Sequence, residues 1–271
     1  VLLGVRREAR LLMVAIQFLT RLPTPNFPGF QPQWLARSAR YFPSVGVLVG
    51  AINVLVWWLA RGVFPPSVAV GLMLAASLLV TGAFHEDGFA DTCDGFGGGA
   101  TREQVLAIMK DSRIGAYGAL GIFMLLGLKW CVLVAVPGFA FMLVVVSAHM
   151  MSRWCATGVI WRLHYQRFAQ DAKAKPLADS LSGGEWLASF LIGVVALGAF
   201  VVTVEGSPLT AWTAAAPALA AGVLAAAAIA LVGAAYCRHR IGGYTGDSLG
   251  AVQQCSELGF YLAALAMLRH A

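Results

Sequence analysis

The chain has 271 residues, of which 59% are hydrophobic and only 12% charged, with a mean hydropathy of +0.75. Soluble domains carry about twice that charged fraction, so a soluble globular fold is excluded and a polytopic helical membrane protein remains. The surplus of six positive charges is scattered through short segments rather than massed on one patch, which argues against nucleic acid as a partner.

Residues 1–22 set Arg6, Arg7 and Arg10 ahead of an apolar run, Leu11 to Leu19, that Arg21 follows. About ten apolar residues are too few to span a bilayer, and no small-residue cleavage site of a signal peptide follows. The pattern predicts a helix lying on the membrane surface with its arginines on anionic headgroups. Residues 23–40 read as a proline-punctuated loop ending in Arg37 and Arg40. Apolar runs then predict about seven transmembrane helices, at roughly 41–61, 67–84, 118–136, 139–160, 186–204, 212–236 and 249–268. The alanine-rich run 212–236, with Gly222 and Gly233, is expected inside the bundle, because small residues let helices approach closely. With no internal repeat or linker, residues 1–271 read as one all-α membrane domain. Nearly all basic residues outside the spans fall on one side if the N-terminus is cytoplasmic, leaving Arg61 and Arg269 outside and Lys129 within a span.

Between the second and third spans lies His85-Glu-Asp-Gly-Phe-Ala-Asp-Thr-Cys-Asp-Gly95, with Glu86, Asp87, Asp91 and Asp94 inside nine residues. Asp87, Asp91 and Asp94 stand at i, i+4 and i+7, which places them on one face of a helix. Carboxylates that close repel one another, and a cation relieves the repulsion. Hard oxygen donors suit Mg²⁺ or Mn²⁺, which also accept phosphate oxygens from a substrate. Gly97-Gly98-Gly99 breaks the helix, and Thr101 is placed to cap a short one running to Met109. Lys110-Asp111-Ser112-Arg113 follows, so that a metal-binding face and a pair of cations stand together, as a phosphoryl-transfer site requires. The plainer alternative is an acidic connection neutralised by its own basic neighbours.

Further along, His149 and Arg153 stand one turn apart near the inner end of the fourth span. Arg153 serves there either as a cation over a diphosphate or as a side chain reaching for headgroups. Tyr165-Gln-Arg167 opens a basic loop that includes Arg162, Lys173 and Lys175. Gly242-Gly-Tyr-Thr245-Gly-Asp247 leads into the last span, where Asp247 is placed as an N-cap or as a site residue. Glu257 lies deeper beside Gln253 and Gln254, which favours a role lining the site. Lys129 is free to pair with Glu257 or a backbone carbonyl, or to snorkel. The five cysteines, 93, 131, 155, 237 and 255, show no metal spacing and read as free thiols.

The run HEDGFADTCDGFGGG with LAIMKDSRIGAYG, and Gly243-Tyr-Thr-Gly-Asp-Ser-Leu-Gly-Ala251 with Glu257, resemble the motifs of the adenosylcobinamide-GDP ribazoletransferase family, the integral-membrane cobalamin synthases. Phe18-Leu-Thr-Arg-Leu-Pro23 and Tyr41-Phe-Pro-Ser-Val-Gly46 fit as well, so the likeness spans nearly the whole chain. The resemblance implies transfer from adenosylcobinamide-GDP to α-ribazole or its 5′-phosphate, with GMP released, at the cytoplasmic face of a bacterial inner membrane. It implies Mg²⁺ held by Glu86, Asp87, Asp91 and Asp94. Catalytic roles fall to Asp94, Asp111 and Arg113, with Asp94 or Asp111 as proton acceptor. Substrate contacts fall to Lys110, Ser112, Arg153, Arg167, Thr245, Asp247 and Glu257. A homo-oligomer is compatible with the sequence. One rival is a CDP-alcohol phosphotransferase: Asp91-x-x-Asp94-Gly95 matches the start of its pattern, but Phe96-Gly-Gly-Gly99 lacks the Ala-Arg that should follow. Another is a cation-coupled transporter, for which no inverted repeat is found.

Overall fold

The computed structural model describes residues 2–25, 27, 29–166, 181–203 and 209–269. Eleven α-helices run through the described residues: α1 (Leu2–Leu19), α2 (Pro32–Ser38), α3 (Phe42–Ala60), α4 (Pro66–Thr81), α5 (Phe84–Gly98), α6 (Arg102–Ile108), α7 (Ala116–Ala135), α8 (Gly138–Arg162), α9 (Gly183–Thr203), α10 (Leu209–Ile241) and α11 (Gly246–Leu268). The stretch read as a loop before the first span contains α2 and a 3₁₀ turn, Ala39–Tyr41. Pro32 opens α2 at a position where its missing N–H costs nothing.

Each of the seven expected spans falls on a helix. By length and apolarity five stretches among the described residues are fit to cross a membrane: Gln33–Ala60, Ala116–Ala135, Ala140–Arg162, Gly183–Thr203 and Ala215–Ile241. A sixth arises if α4 and α5, bent by 90° at their junction, count as one broken span. At 23 residues α11 has the length, but Asp247, Gln253, Gln254 and Glu257 make it more polar than a lipid-facing helix.

Helix α8 is the axis, its apolar window 89% buried against α3, α10 and α11. Gly46 and Gly50 bring the α3 backbone onto α8: a Cβ on Gly46 would lie 2.3 Å from the His149 carbonyl oxygen. Close approach at small-x-x-x-small spacing is how helices gain contact where lipid offers no hydrophobic drive. The expectation that the alanine-rich span lies inside is overturned, since α10 is only 22% buried over its apolar window. Its small residues form one stripe, with Gly222 against Phe260 and Gly233 against Val252, while Leu224, Leu231 and Val232 remain exposed. A stripe of small residues specifies one neighbour, not burial on every side.

The α4–α5 junction sets up the site. Gly82, at φ 65°, ends α4 in the left-handed region, and the Ala83 N–H reaches back to the Leu78 carbonyl at 2.9 Å. This is the bond pattern of a Schellman cap. Ala83 is also left-handed at φ 54°, uncommon for a residue with a Cβ, and together the two residues turn the chain through the right angle.

Candidate active site

Helix α5 carries the acidic stretch, so Asp87, Asp91 and Asp94 do lie on a helix as their spacing requires. It crosses α11 closely: a Cβ on Gly88 would stand 2.8 Å from the Asp247 Cα, and one on Gly250 2.9 Å from the His85 carbonyl oxygen. Its far end is held by Arg240, whose guanidinium donates to the carbonyls of Phe96 (2.9 Å) and Gly99 (2.6 Å). A cation on the last carbonyls of a helix satisfies orphan acceptors and complements the dipole. Thr101 caps α6 through a reciprocal pair with Gln104, as expected.

The four clustered carboxylates have different surroundings. Asp94 is buried and accepts hydrogen bonds from the backbone N–H groups of Gly115 (2.7 Å) and Gly118 (2.8 Å) at the start of α7. A Cβ at either glycine would lie 2.4 Å from a carboxylate oxygen of Asp94, which explains why glycines stand there. A charge on the N-terminal N–H groups of a helix is favourable on both hydrogen-bond and dipole grounds. Asp87 is exposed and Asp91 half-buried. Glu86 is buried: its Oε1 accepts from Gln254 at 2.8 Å, and its Oε2 has no hydrogen-bond partner.

The connection from α6 to α7 carries Lys110, Ser112 and Arg113 exposed, with Asp111 between them. Arg113 forks onto Asp111, with Nη2 to Oδ2 at 2.6 Å and Nε to Oδ1 at 3.0 Å. These bonds hold the Asp111 carboxyl well below its ordinary value, at about 2, and raise that of Arg113. On the other side, residues 164–166 pair with the turn before α11: Tyr165 and Tyr244 form a parallel bridge, and the Gln166 N–H reaches the Tyr244 carbonyl at 2.8 Å. The cap of α11 is Thr245, buried and reciprocally bonded to Ser248, rather than Asp247. Asp247 lies half-buried in the first turn of α11, where its charge still suits the dipole. Arg167, Lys173 and Lys175 lie outside the described residues.

Arg153 and Glu257 are drawn into the bundle interior, away from the surface loops. Glu257 accepts from Lys129 Nζ at 2.7 Å and Gln253 at 2.8 Å, and its Oε2 lies 3.2 Å from His149 Nδ1 and 3.9 Å from Arg153. Arg153 is 2% exposed and donates to the His149 carbonyl at 3.0 Å. With the proton of His149 on Nδ1 toward Glu257, its Nε2 accepts the Asn53 amide at 2.9 Å. Lys129 also donates to Gln254, which in turn holds Glu86. Charges inside a membrane bundle persist only when paired, and here two basic side chains converge on one glutamate. Lys129 therefore pairs with Glu257, one of the alternatives its sequence position left open. Asn53 and Arg240 are structural parts that the sequence did not single out, whereas Gln254 stood beside Glu257 as a polar companion and here bridges Lys129 to Glu86.

The donor set also bears on a metal. Among the described residues no three His, Cys, Asp or Glu side chains converge tightly enough to enclose an ion. Asp87 and Asp91, one turn apart on the accessible side of α5, and the unpaired oxygen of Glu86 are hard donors. Magnesium is typically held by one or two carboxylates, completing its shell with water and substrate phosphates. The residues present fit an ion of that habit.

The fold defines a polytopic helical membrane protein, with the acidic helix α5 as its candidate site. The chain belongs to the cobalamin-5-phosphate synthase family, whose pattern it matches over residues 11–265. It is similar to the adenosylcobinamide-GDP ribazoletransferases of Leptothrix cholodnii (47% identical, covering 96% of each chain), Ralstonia nicotianae (44%, 94% of each) and Shewanella frigidimarina (41%, 96% of each). No solved structure matches it. This membership makes the chain an enzyme of cobalamin biosynthesis and sets it apart from the phosphotransferase and transporter rivals.

Proposed function

We propose that the enzyme transfers the adenosylcobinamide phosphate of adenosylcobinamide-GDP to α-ribazole or α-ribazole 5′-phosphate. The ribose 3′-hydroxyl attacks the phosphorus bearing the cobinamide. A new O–P bond forms as the bond to the GMP oxygen breaks, the hydroxyl proton passes to a carboxylate, and GMP departs. The observation that carries this reading is the placement of Asp87 and Asp91 on the accessible side of α5, beside a loop bearing Lys110 and Arg113. Family membership supports it, because the relatives are adenosylcobinamide-GDP ribazoletransferases, a name that joins this donor to ribazole.

In this reading Asp87 and Asp91 hold Mg²⁺ or Mn²⁺, with Glu86 behind them. Bound there, the ion supplies charge neutralisation to the diphosphate and the departing phosphate. Asp94 positions the start of α7, and hence the loop before it, through Gly115 and Gly118. Lys110 and Ser112, exposed on the loop, and Asp247, packed against Gly88 of α5, are the substrate contacts in this reading, while buried Thr245 acts by capping α11. Arg113 exchanges partners: its fork leaves Asp111 for the diphosphate, where planar donors match phosphoryl oxygens. Asp111, released, regains the basicity that accepting a proton requires. Buried in their network, Arg153 and Glu257 act by holding α5 against α8 and α11. The charge bias of the sequence supports a cytoplasmic active face in a bacterial inner membrane.

The test is GMP release by the reconstituted enzyme from adenosylcobinamide-GDP and α-ribazole. Release should cease in EDTA, return with Mg²⁺, and be lost in Asp91→Asn. Undiminished release in chelator would remove the metal from the reading, and release without any ribazole acceptor would reduce the reaction to hydrolysis.

A further inference from the structure

Six arginines and a single glutamate occupy residues 1–40, and the fold sorts them unevenly. Glu8 accepts from the Tyr41 hydroxyl at 2.6 Å and lies 3.7 Å from Arg40, so it is engaged with the start of α3. Arg6, Arg7 and Arg10 project from one arc of α1, Arg37 projects from the last turn of α2, and all four line a single cavity of about 390 Å³. No carboxylate lines it; the remaining walls are Leu11 and Trp34. The Arg10 guanidinium lies 4.7 Å from the Trp34 ring centroid and 5.9 Å from that of Phe27, which fixes one of the four in place. Among the described residues none of the four makes an ion pair. Four like charges around one cavity repel one another, and an anion between them reverses the sign of that energy.

We infer that this cavity is a site for a phospholipid whose headgroup carries two phosphates. Guanidinium forks grip phosphate oxygens in pairs, and four of them match two phosphate groups better than one. The walls point to a lipid rather than a free diphosphate. Leu11 and Trp34 offer an apolar surface that an inorganic ion has no use for, and tryptophan favours the level of the headgroups. Helix α1 has the form of an interfacial helix: it is strongly amphipathic, with Leu11, Val14, Ala15 and Leu19 buried against the bundle and its arginines exposed. Basic pockets between helices are suited to such headgroups. What the structure adds to a helix merely attracted to negative charge is Arg37, brought from a second helix to complete a discrete site. The inference is independent of the reaction proposed above.

The experiment is native mass spectrometry of the full chain released from phosphatidylcholine nanodiscs doped with cardiolipin, with phosphatidylglycerol doping and added inorganic pyrophosphate as separate arms. The parent chain should retain one cardiolipin in preference to phosphatidylglycerol. The triple variant Arg6→Gln, Arg10→Gln, Arg37→Gln should retain it at least tenfold less, and Arg37→Gln alone should weaken retention measurably. Because these guanidiniums are exposed, the variants should elute as the parent does on size exclusion; the corresponding lysine variants provide a second set that keeps the charge. The control Arg238→Gln removes an exposed charge elsewhere and should change nothing. Retention unchanged in the triple variant, or reduced equally by Arg238→Gln, overturns the site. Pyrophosphate displacing cardiolipin at equal concentration overturns the lipid and leaves a soluble diphosphate as the ligand.

Discussion

Two sets of carboxylates lie close together in this molecule and meet opposite conditions. Asp87 and Asp91 stand on the accessible side of α5, whereas Glu86 and Glu257 lie within the bundle, tied to Lys129, Gln253 and Gln254. Asp94 belongs to neither set, being buried but bonded only to the backbone of α7 among the contacts described above. The contrast separates two uses of negative charge. An accessible carboxylate can be reached by a ligand and contributes little to folding. Buried Glu257 is committed to Lys129, Gln253 and the side chains around them, and its loss strands the opposite charge.

That contrast makes different demands on each set, and the largest effect should come from the interior. Glu257→Gln removes the ion-pair partner of buried Lys129 and leaves the interior with one carboxylate fewer, a loss that typically costs about 3–5 kcal/mol. Thermal unfolding in detergent should show a lower Tm and poor recovery of monodisperse protein. An unchanged Tm would mean that water reaches the cluster. Next comes Asp91→Asn, expected to lower GMP release by on the order of 10²–10³-fold, about 2.7–4 kcal/mol of transition-state stabilisation, with Tm unmoved. If Tm falls as well, the accessible set is structural after all and the comparison fails. Asp94→Asn should sit between the two: replacing the charged acceptor leaves part of its bonding to Gly115 and Gly118 and costs about 1–3 kcal/mol in stability, with turnover falling in step.

The smallest effect concerns the exposed pair of Asp111 and Arg113. Because Arg113 holds the folded-state carboxyl at about 2, below its ordinary 3.8, the pair's contribution is present above the ordinary value and disappears as pH falls through about 2. No change in this pair should therefore appear between about pH 5 and 8. In Arg113→Ala, NMR titration should find Asp111 back near the ordinary carboxylate range. Arg113→Lys should keep the charge but lower kcat by about tenfold, 1.4 kcal/mol, since lysine lacks the fork. Equal kcat for Arg113→Lys would show that charge alone matters there.

Much of this arrangement was legible because it is local. The i, i+4, i+7 aspartates specify a helix face, Thr101 with Gln104 specifies a cap, and an intramembrane lysine and glutamate demand partners. What escaped the sequence depends on contacts far apart along the chain. Nothing local marks Gly115 and Gly118, and only the fold shows them as seats for a carboxylate more than twenty residues earlier. Arg240 looked like one more positive-inside charge, yet it clamps the end of α5. Asn53 sits in an otherwise apolar span, and nothing local says that it meets His149. Helix α10 was misplaced for a different reason: composition reports what one face can touch, and says nothing of how many faces are touched.

The right angle at Gly82 and Ala83 has a consequence for where the chemistry takes place. At 1.5 Å per residue the 16 residues of α4 measure about 24 Å, less than the hydrocarbon thickness of about 30 Å. If α4 starts at the outer boundary of the hydrocarbon, the turn is reached before the other boundary, and α5 runs parallel to the sheet of lipid phosphates instead of standing out into water. A bulky amphipathic substrate would then reach the aspartates sideways, sliding in the plane of the leaflet. On this geometry bilayer thickness becomes a control on the enzyme. Reconstitution into lipids of increasing acyl length should raise KM for the diphosphate substrate as α5 sinks, and a KM indifferent to chain length would place the helix in open water.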